Sequence, residues 1–206
     1  MSLCGDPLAH PVYDYQANPL GGGVLRRLIL AFAGLLACSV FAGSGSTPHA
    51  AAGIRAHREA ALAWLGEQVY GYQRATWRWE RLMGVRTTPT AGRVLAEMSI
   101  PDVQHAVVLW KVRAEAARRR AERPPHLRAF LCIHHYEGSW TDAGGPYYGG
   151  LQMDLSFQRT YGHWLFRHKG TADHWTPLEQ IWTAEKAARS RGFWPWPNTA
   201  RFCGLI

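Results

Sequence analysis

Cys132-Ile-His-His-Tyr-Glu-Gly-Ser-Trp140, followed by Tyr147-Tyr-Gly-Gly-Leu-Gln-Met153, sets one carboxylate among aromatic residues ahead of a Gly-Gly turn, with no Lys or Arg in the stretch. Leu127, Phe130, Leu131 and His134 predict a helix from about Pro125 to Gly138, with these four side chains turned inward and Glu137 carried on the same side. At the end of that helix Glu137 meets the negative pole of the macrodipole, and Tyr136 and Trp140 would withdraw it from water. Both influences favour the protonated carboxyl. An acid that holds its proton at neutral pH is what sugar-cleaving chemistry needs to protonate a leaving oxygen.

The order of motifs around this helix extends the pattern. Glu137-Gly138 is followed by Gly144-Gly145-Pro146, by Tyr147-Tyr148-Gly149-Gly150-Leu151-Gln152-Met153, and by the aromatic segment Phe157 to Tyr161. Thr176-Pro-Leu-Glu-Gln180 and Trp196-Pro197 leading to Cys203-Gly-Leu205 complete it. From about residue 126 onward the chain resembles the lysozyme-like catalytic domain of resuscitation-promoting factors and related transglycosylase-like proteins. The resemblance covers under half of the chain and departs from the family pattern twice. Cys132 stands five residues ahead of Glu137 rather than directly before it, a rotation of about 500° along a helix. The family's Asn-Thr-Gly-Asn turn is replaced by Thr141-Asp-Ala-Gly-Gly-Pro146, so its substrate contacts do not carry over.

The resemblance implies an α+β, mostly helical fold, with a small lysozyme-like catalytic domain at 125–206 and a short hairpin near 142–153. It implies a single catalytic Glu, here Glu137, cleaving peptidoglycan glycan strands between N-acetylmuramic acid and N-acetylglucosamine, without metal or organic cofactor. As acid, Glu137 would protonate the β-1,4 oxygen; as base, it would help the substrate's N-acetyl group or C6 hydroxyl, or a water, displace the leaving group. The implied role is wall remodelling, with a cell-wall endopeptidase as a candidate partner. The rival expectation is a non-catalytic wall-binding or partner-binding protein that keeps the cleft.

Other residues divide between chemistry and structure. Gly149 and Gly150 allow close backbone approach and suit a cleft wall along which a polysaccharide lies. Trp140, Tyr147 and Tyr148 can offer rings to sugar faces or cover the core. Gln152 could hydrogen-bond an N-acetyl group. Asp142 and Asp154 are the candidates for a second carboxylate, whose separation from Glu137 the sequence does not supply. His134 and His135 lack the spacing of a zinc-binding His pair, so no metal site is expected. Thr176-Pro177-Leu178-Glu179 reads as an N-cap, a Pro at the first helical position and a capping-box Glu, which makes Glu179 structural, and Glu185 is read likewise.

Upstream, residues 1–52 read as an N-terminal extension and signal peptide. Arg26-Arg27 precede the apolar run Leu28 to Ala42, and small residues follow it. The run is short for a membrane span, so no stable span is expected after processing. An uncleaved anchor, or a lipidated Cys38 in Leu35-Leu-Ala-Cys38, is the alternative to a secreted or wall-located product. Of the four cysteines, Cys4 and Cys38 would leave with such a signal. Cys132 and Cys203 remain, to form either one disulfide or two buried thiols.

Residues 53–124 form the remaining region. Ala61, Leu62, Leu65, Val69 and Tyr72 predict one amphipathic helix over 54–83, stopped by Gly84 and Thr87-Thr-Pro-Thr90. Val103, Ala106, Val107, Trp110, Val112 and Ala114 predict the apolar side of a second, running into Arg118-Arg-Arg-Ala-Glu-Arg123 and ending at Pro124-Pro125. The expectation is a helical hairpin preceding the catalytic domain, with Trp77, Trp79 and Trp110 packed in it or against that domain. The net charge of +8 arises largely here, since residues 54–126 hold thirteen Lys and Arg against seven acids. Such a surface suits an anionic envelope polymer. No groove-reading or base-stacking motif accompanies it, so nucleic acid is not an expected partner.

Overall fold

Helix formers run almost unbroken from Pro48 to Met83 and give α1, which ends where Gly84 takes a φ of 66° that side-chain-bearing residues avoid. A computed structural model describes residues 48–90, 92 and 95–206. Residues 1–47, with the apolar run, Cys38 and most of the expected N-terminal extension and signal peptide, lie outside the described residues, whereas 48–52 begin α1. Among the described residues no helix is long and apolar enough to cross a membrane.

Residues 51–60 of α1 are exposed along their whole length, and packing begins near Leu62. There Leu65 and Val69 meet Val103 and Trp110 of α2 (Ile100–Ala121) in a small core of their own. The Ser99 hydroxyl opens α2 by accepting from the Asp102 amide. Val103, Trp110, Ala114, Ala117 and Ala121 are its buried residues. Val112, expected on this side, is exposed: two residues rotate a helix by about 200°, so it cannot share a face with Trp110. Trp77 meets Trp110 edge-on at 6.1 Å, and its Nε1 donates to the Thr88 carbonyl at 2.8 Å. The buried Glu80 carboxylate accepts from the Thr88 amide and hydroxyl, which fixes the loop that leaves α1.

The second core gathers the rest of the chain around α6 (Pro177–Arg191). α3 (Leu127–Glu137) contributes Phe130 and Ile133, both fully buried. Leu131, expected inward, is 45% exposed, because Phe130 and Ile133 occupy the core-facing side and Leu131 lies about 100° from Phe130. Strands β1 (Tyr147–Tyr148) and β2 (Met153–Asp154) pair antiparallel, Tyr147 with Asp154 and Tyr148 with Met153. α4 (Leu155–Tyr161), α5 (His163–Lys169) and α7 (Pro197–Phe202) complete a mostly helical α+β fold.

α6 starts with the full capping box: Thr176 accepts from the Glu179 amide while the Glu179 carboxylate accepts from the Thr176 amide. Glu179 also holds Lys169 at 2.7 Å, so its place is structural.

The same helix joins the hairpin to the second core. Trp182 Nε1 donates to the Ala121 carbonyl at 2.7 Å, and Arg189 donates to the Met83 carbonyl at 2.7 Å. Leu82, Met83 and Ala121 are buried with Phe130, Ile181 and Trp182 in one cluster, and Trp79 packs against it. Lys186 lies against Gly84, where burial, and secondarily the neighbouring Arg189, lower its pKa to about 8 from 10.5.

Between those two values the unfolded chain binds a proton that the folded chain does not, so stability rises as the pH rises from about 8 to about 10.5. The gain is about 2 kcal/mol after allowance for partial exposure. Urea denaturation at pH 7.5 and pH 10 should show it, and Lys186→Met should remove it.

Candidate active site

Glu137 is the last residue of α3, and its direction is set from both ends of that helix. At the start, the buried Glu185 of α6 accepts from the His126 amide at 2.6 Å and pairs with His126 Nδ1 at 3.0 Å. Glu185 thus supplies a cap that no side chain of α3 provides. At the end, Gly138 leaves the helix at φ 154°, a backbone region that favours glycine. Between them Cys132 forms a disulfide with Cys203, just past α7.

Glu137 itself is half-buried. Its Oε1 accepts from the Thr199 hydroxyl of α7 at 2.8 Å. The contact spans 62 residues, and no ion pair accompanies it among the described residues. α3 and α7 are therefore tied twice, by the disulfide and by this hydrogen bond. Because Thr199 precedes Cys203 while Glu137 follows Cys132, the two helices run in opposite senses.

The turn after Gly138 is organised by Asp142. Its Oδ1 accepts from the Gly144 amide at 2.9 Å, its Oδ2 from Gln152 Nε2 at 2.9 Å, and its carbonyl from the Gly149 amide at 2.7 Å. Asp142 Oδ2 lies 3.4 Å from where a Gly138 side chain would start, so of the two further carboxylates it is the one placed beside Glu137's end of α3. Asp154 instead caps α4, accepting from the Phe157 amide at 2.7 Å. Gln152 stands at φ 46° and donates to both Asp142 and the Gly149 carbonyl. The expected bond from Gln152 to an N-acetyl group is thus restricted to its amide oxygen, because its amide protons are engaged in the turn.

Gly149 and Gly150 are both buried. A Cβ on Gly149 would fall 2.4 Å from Gln180 Oε1, and one on Gly150 2.5 Å from His134 Nδ1 and 2.7 Å from Trp140. These glycines are needed for close approach inside the protein. His134 stacks on Trp140 at 3.9 Å and its Nδ1 donates to the Gly150 carbonyl, so one face of the Trp140 indole is covered. Tyr148 packs against the core, whereas Tyr147 is half-exposed. Tyr136, expected to shield Glu137, is exposed and pairs with Phe202 of α7 at 5.6 Å. In Trp194-Pro-Trp-Pro197 the two indoles part: Trp196 is buried, with Nε1 bonded to the Leu151 carbonyl at 2.7 Å, and Trp194 is exposed.

Gln180 closes the run Thr176-Pro-Leu-Glu-Gln180, where its sequence position points to no contact. Fully buried, it accepts from the Gly150 amide at 2.9 Å and donates to the carbonyls of Trp140 and Ala172, both at 2.8 Å. Thr199 carried no signal at all, since a hydroxyl four residues before a Cys has no periodicity or spacing that points to Glu137.

A hollow of about 570 Å³ is lined by Met83, Ala116, Arg119, Arg120, Arg123 and Trp182, and by none of the residues around Glu137. Its apolar floor and guanidinium rim offer no acid-base chemistry. The chain matches no protein-family model, no curated protein and no solved structure.

Replacing Gln180 with Met keeps the volume but leaves the Gly150 amide and the Trp140 carbonyl short of a partner, at a cost of about 2 to 4 kcal/mol. Gly150→Ala forces a methyl into the His134–Trp140 stack and should cost about 1 to 3 kcal/mol. Tyr147→Ala, at an exposed position, should change stability by about 0.5 kcal/mol or less. Chemical denaturation of the three variants gives this ranking directly. Reducing the disulfide should remove about 4 kcal/mol on the chain-entropy estimate, read as a lower unfolding midpoint in the presence of a thiol.

Proposed function

We propose that this chain cleaves the glycan strand of peptidoglycan, between N-acetylmuramic acid and N-acetylglucosamine, with Glu137 as both general acid and general base. The observation that carries the reading is the setting of Glu137. It is a half-buried carboxyl at a helix C-terminus, partnered by a neutral hydroxyl rather than a cation, beside a turn that presents Asp142 and Gln152. A carboxyl so placed can exist in either protonation state without leaving a buried cation unpaired, as an acid that becomes a base must.

The surroundings agree with a polysaccharide. Tyr147, Tyr136 and Phe202 expose rings of the kind that cover sugar faces. The motif order from Glu137 to Cys203 resembles the lysozyme-like domain of resuscitation-promoting factors, which supplies the substrate class. The disulfide suits an oxidising compartment, and the apolar run Leu28 to Ala42 suits export, so the proposed location is outside the cell at the wall. No cofactor enters the proposed reaction.

Incubation of peptidoglycan sacculi with wild type and Glu137→Gln, followed by mass spectrometry of the soluble products, tests the reading. The wild type should release muropeptides, with 1,6-anhydro ends if the C6 hydroxyl attacks and reducing ends if water does. Glu137→Gln should bind sacculi equally and release products at least about 100-fold more slowly. Binding without products from either protein would overturn catalysis in favour of a wall-binding role.

A further inference from the structure

The Thr199 hydroxyl has one proton and two acceptors within reach, Glu137 Oε1 at 2.8 Å and the Trp196 carbonyl at 3.4 Å. It can serve only one of them at a time. When Glu137 is ionised, the proton belongs on the carboxylate, where a charge-assisted bond is stronger. When Glu137 is protonated, its own O–H can donate to Thr199 Oγ1, and the hydroxyl proton then turns to the Trp196 carbonyl. Each state of Glu137 is therefore hydrogen-bonded, and the exchange needs only rotation of one hydroxyl.

The fixed parts of this arrangement are well anchored. Trp196 is held through its indole to the Leu151 carbonyl, and its own carbonyl also receives the Ala200 amide at 2.8 Å. Thr199 is buried, and Cys203, four residues on, is bonded to the helix that carries Glu137.

We propose that Thr199 is a positioning residue for Glu137, redirecting its hydroxyl proton as Glu137 alternates between acid and base. The proposal rests on the reading of Glu137 as the catalytic acid. In the first step the Glu137 proton turns from Thr199 Oγ1 to the glycosidic oxygen, which takes it and leaves with the electron pair of the broken C1–O bond, so that C1 is left electron-deficient and Glu137 ionised. Thr199 then turns from the Trp196 carbonyl to the new carboxylate. In the second step the attacking hydroxyl, from C6 or from water, bonds to C1 and returns its proton to Glu137, and Thr199 turns back.

The test compares wild type, Thr199→Val, Thr199→Ala, Thr199→Ser and Glu137→Gln on dye-labelled peptidoglycan, with thermal unfolding of each. Valine has nearly the shape of threonine without the hydroxyl; alanine serves if the valine does not fit. The expected result is a loss of about 10-fold to 100-fold in kcat for the hydroxyl-free variant, with apparent KM and unfolding midpoint near those of wild type. Thr199→Ser should recover to within about threefold of wild type, because it restores the hydroxyl, which a purely packing role would not require. Unchanged kcat in both hydroxyl-free variants overturns the proposal while leaving Glu137 as the acid. So does a loss that serine fails to rescue, or one matched by a fall in the unfolding midpoint. A wild type without turnover overturns the enzyme reading and this proposal together.

Discussion

The carboxamide of Gln180 is the point on which the second half of the chain is built. One side chain, projecting from α6, meets the backbone of three separate segments: the turn after α3 at Trp140, the glycine pair at Gly150, and the short 3-10 turn at Ala172. A backbone group withdrawn from water without a partner is costly, and here one amide meets the Gly150 amide and the Trp140 carbonyl and adds a second donor to the Ala172 carbonyl, which also receives the Trp175 amide. The geometry leaves no room for a side chain at Gly149, whose absent Cβ is the space Gln180 occupies. The Gly-Gly pair and the glutamine thirty residues later are two halves of one interaction.

What the sequence makes legible is what repeats or what breaks a repeat. The 3.6-residue spacing located both long helices of the hairpin, the mostly helical α+β class is what the resemblance implied, and the Thr176-Pro-Leu-Glu run states its own capping chemistry. The errors came from residues one step off a repeating position. Leu131 and Val112 are apolar, but a helix turns by about 100° per residue, and their neighbours had already filled the inward places. Gly149 and Gly150 were legible as glycines that something must approach closely. The approaching groups are Gln180, His134 and Trp140, and nothing local in the chain distinguishes a neighbouring side chain from a ligand. Thr199 and Gln158, and the partner of Glu185, escaped notice for a related reason. Each is a polar side chain whose partner is distant in sequence or fixed by a loop, such as the Ala172 amide that Gln158 holds at 2.9 Å.

The hairpin and the second core are joined by polar contacts set within apolar ones. Trp182 and Arg189 satisfy carbonyls at the C-terminal ends of α2 and α1, which are groups that a helix end leaves without partners. The arginines of α2 near its C-terminus are favourably placed with respect to its macrodipole. Their pairs, Arg118 with Glu122 and Arg119 with Glu115, are solvent-exposed and add little to stability. Much of the basic surplus of the middle segment therefore lies on a solvated surface, and the joint between the two cores depends on a buried indole contact and a part-buried guanidinium contact to backbone.

A ribosome delivers this chain in an order that leaves Glu137 unfinished until late. α3 is made well before Glu185, which caps it, before Trp196, which closes the core beneath it, and before Thr199 and Cys203, which tie it to α7. A nascent or reduced chain would have the acid without its partner hydroxyl and without the covalent brace. Because Thr199 and Cys203 follow their partners by 62 and 71 residues, α3 acquires its ties to α7 only after that later segment has been made and the cysteines oxidised.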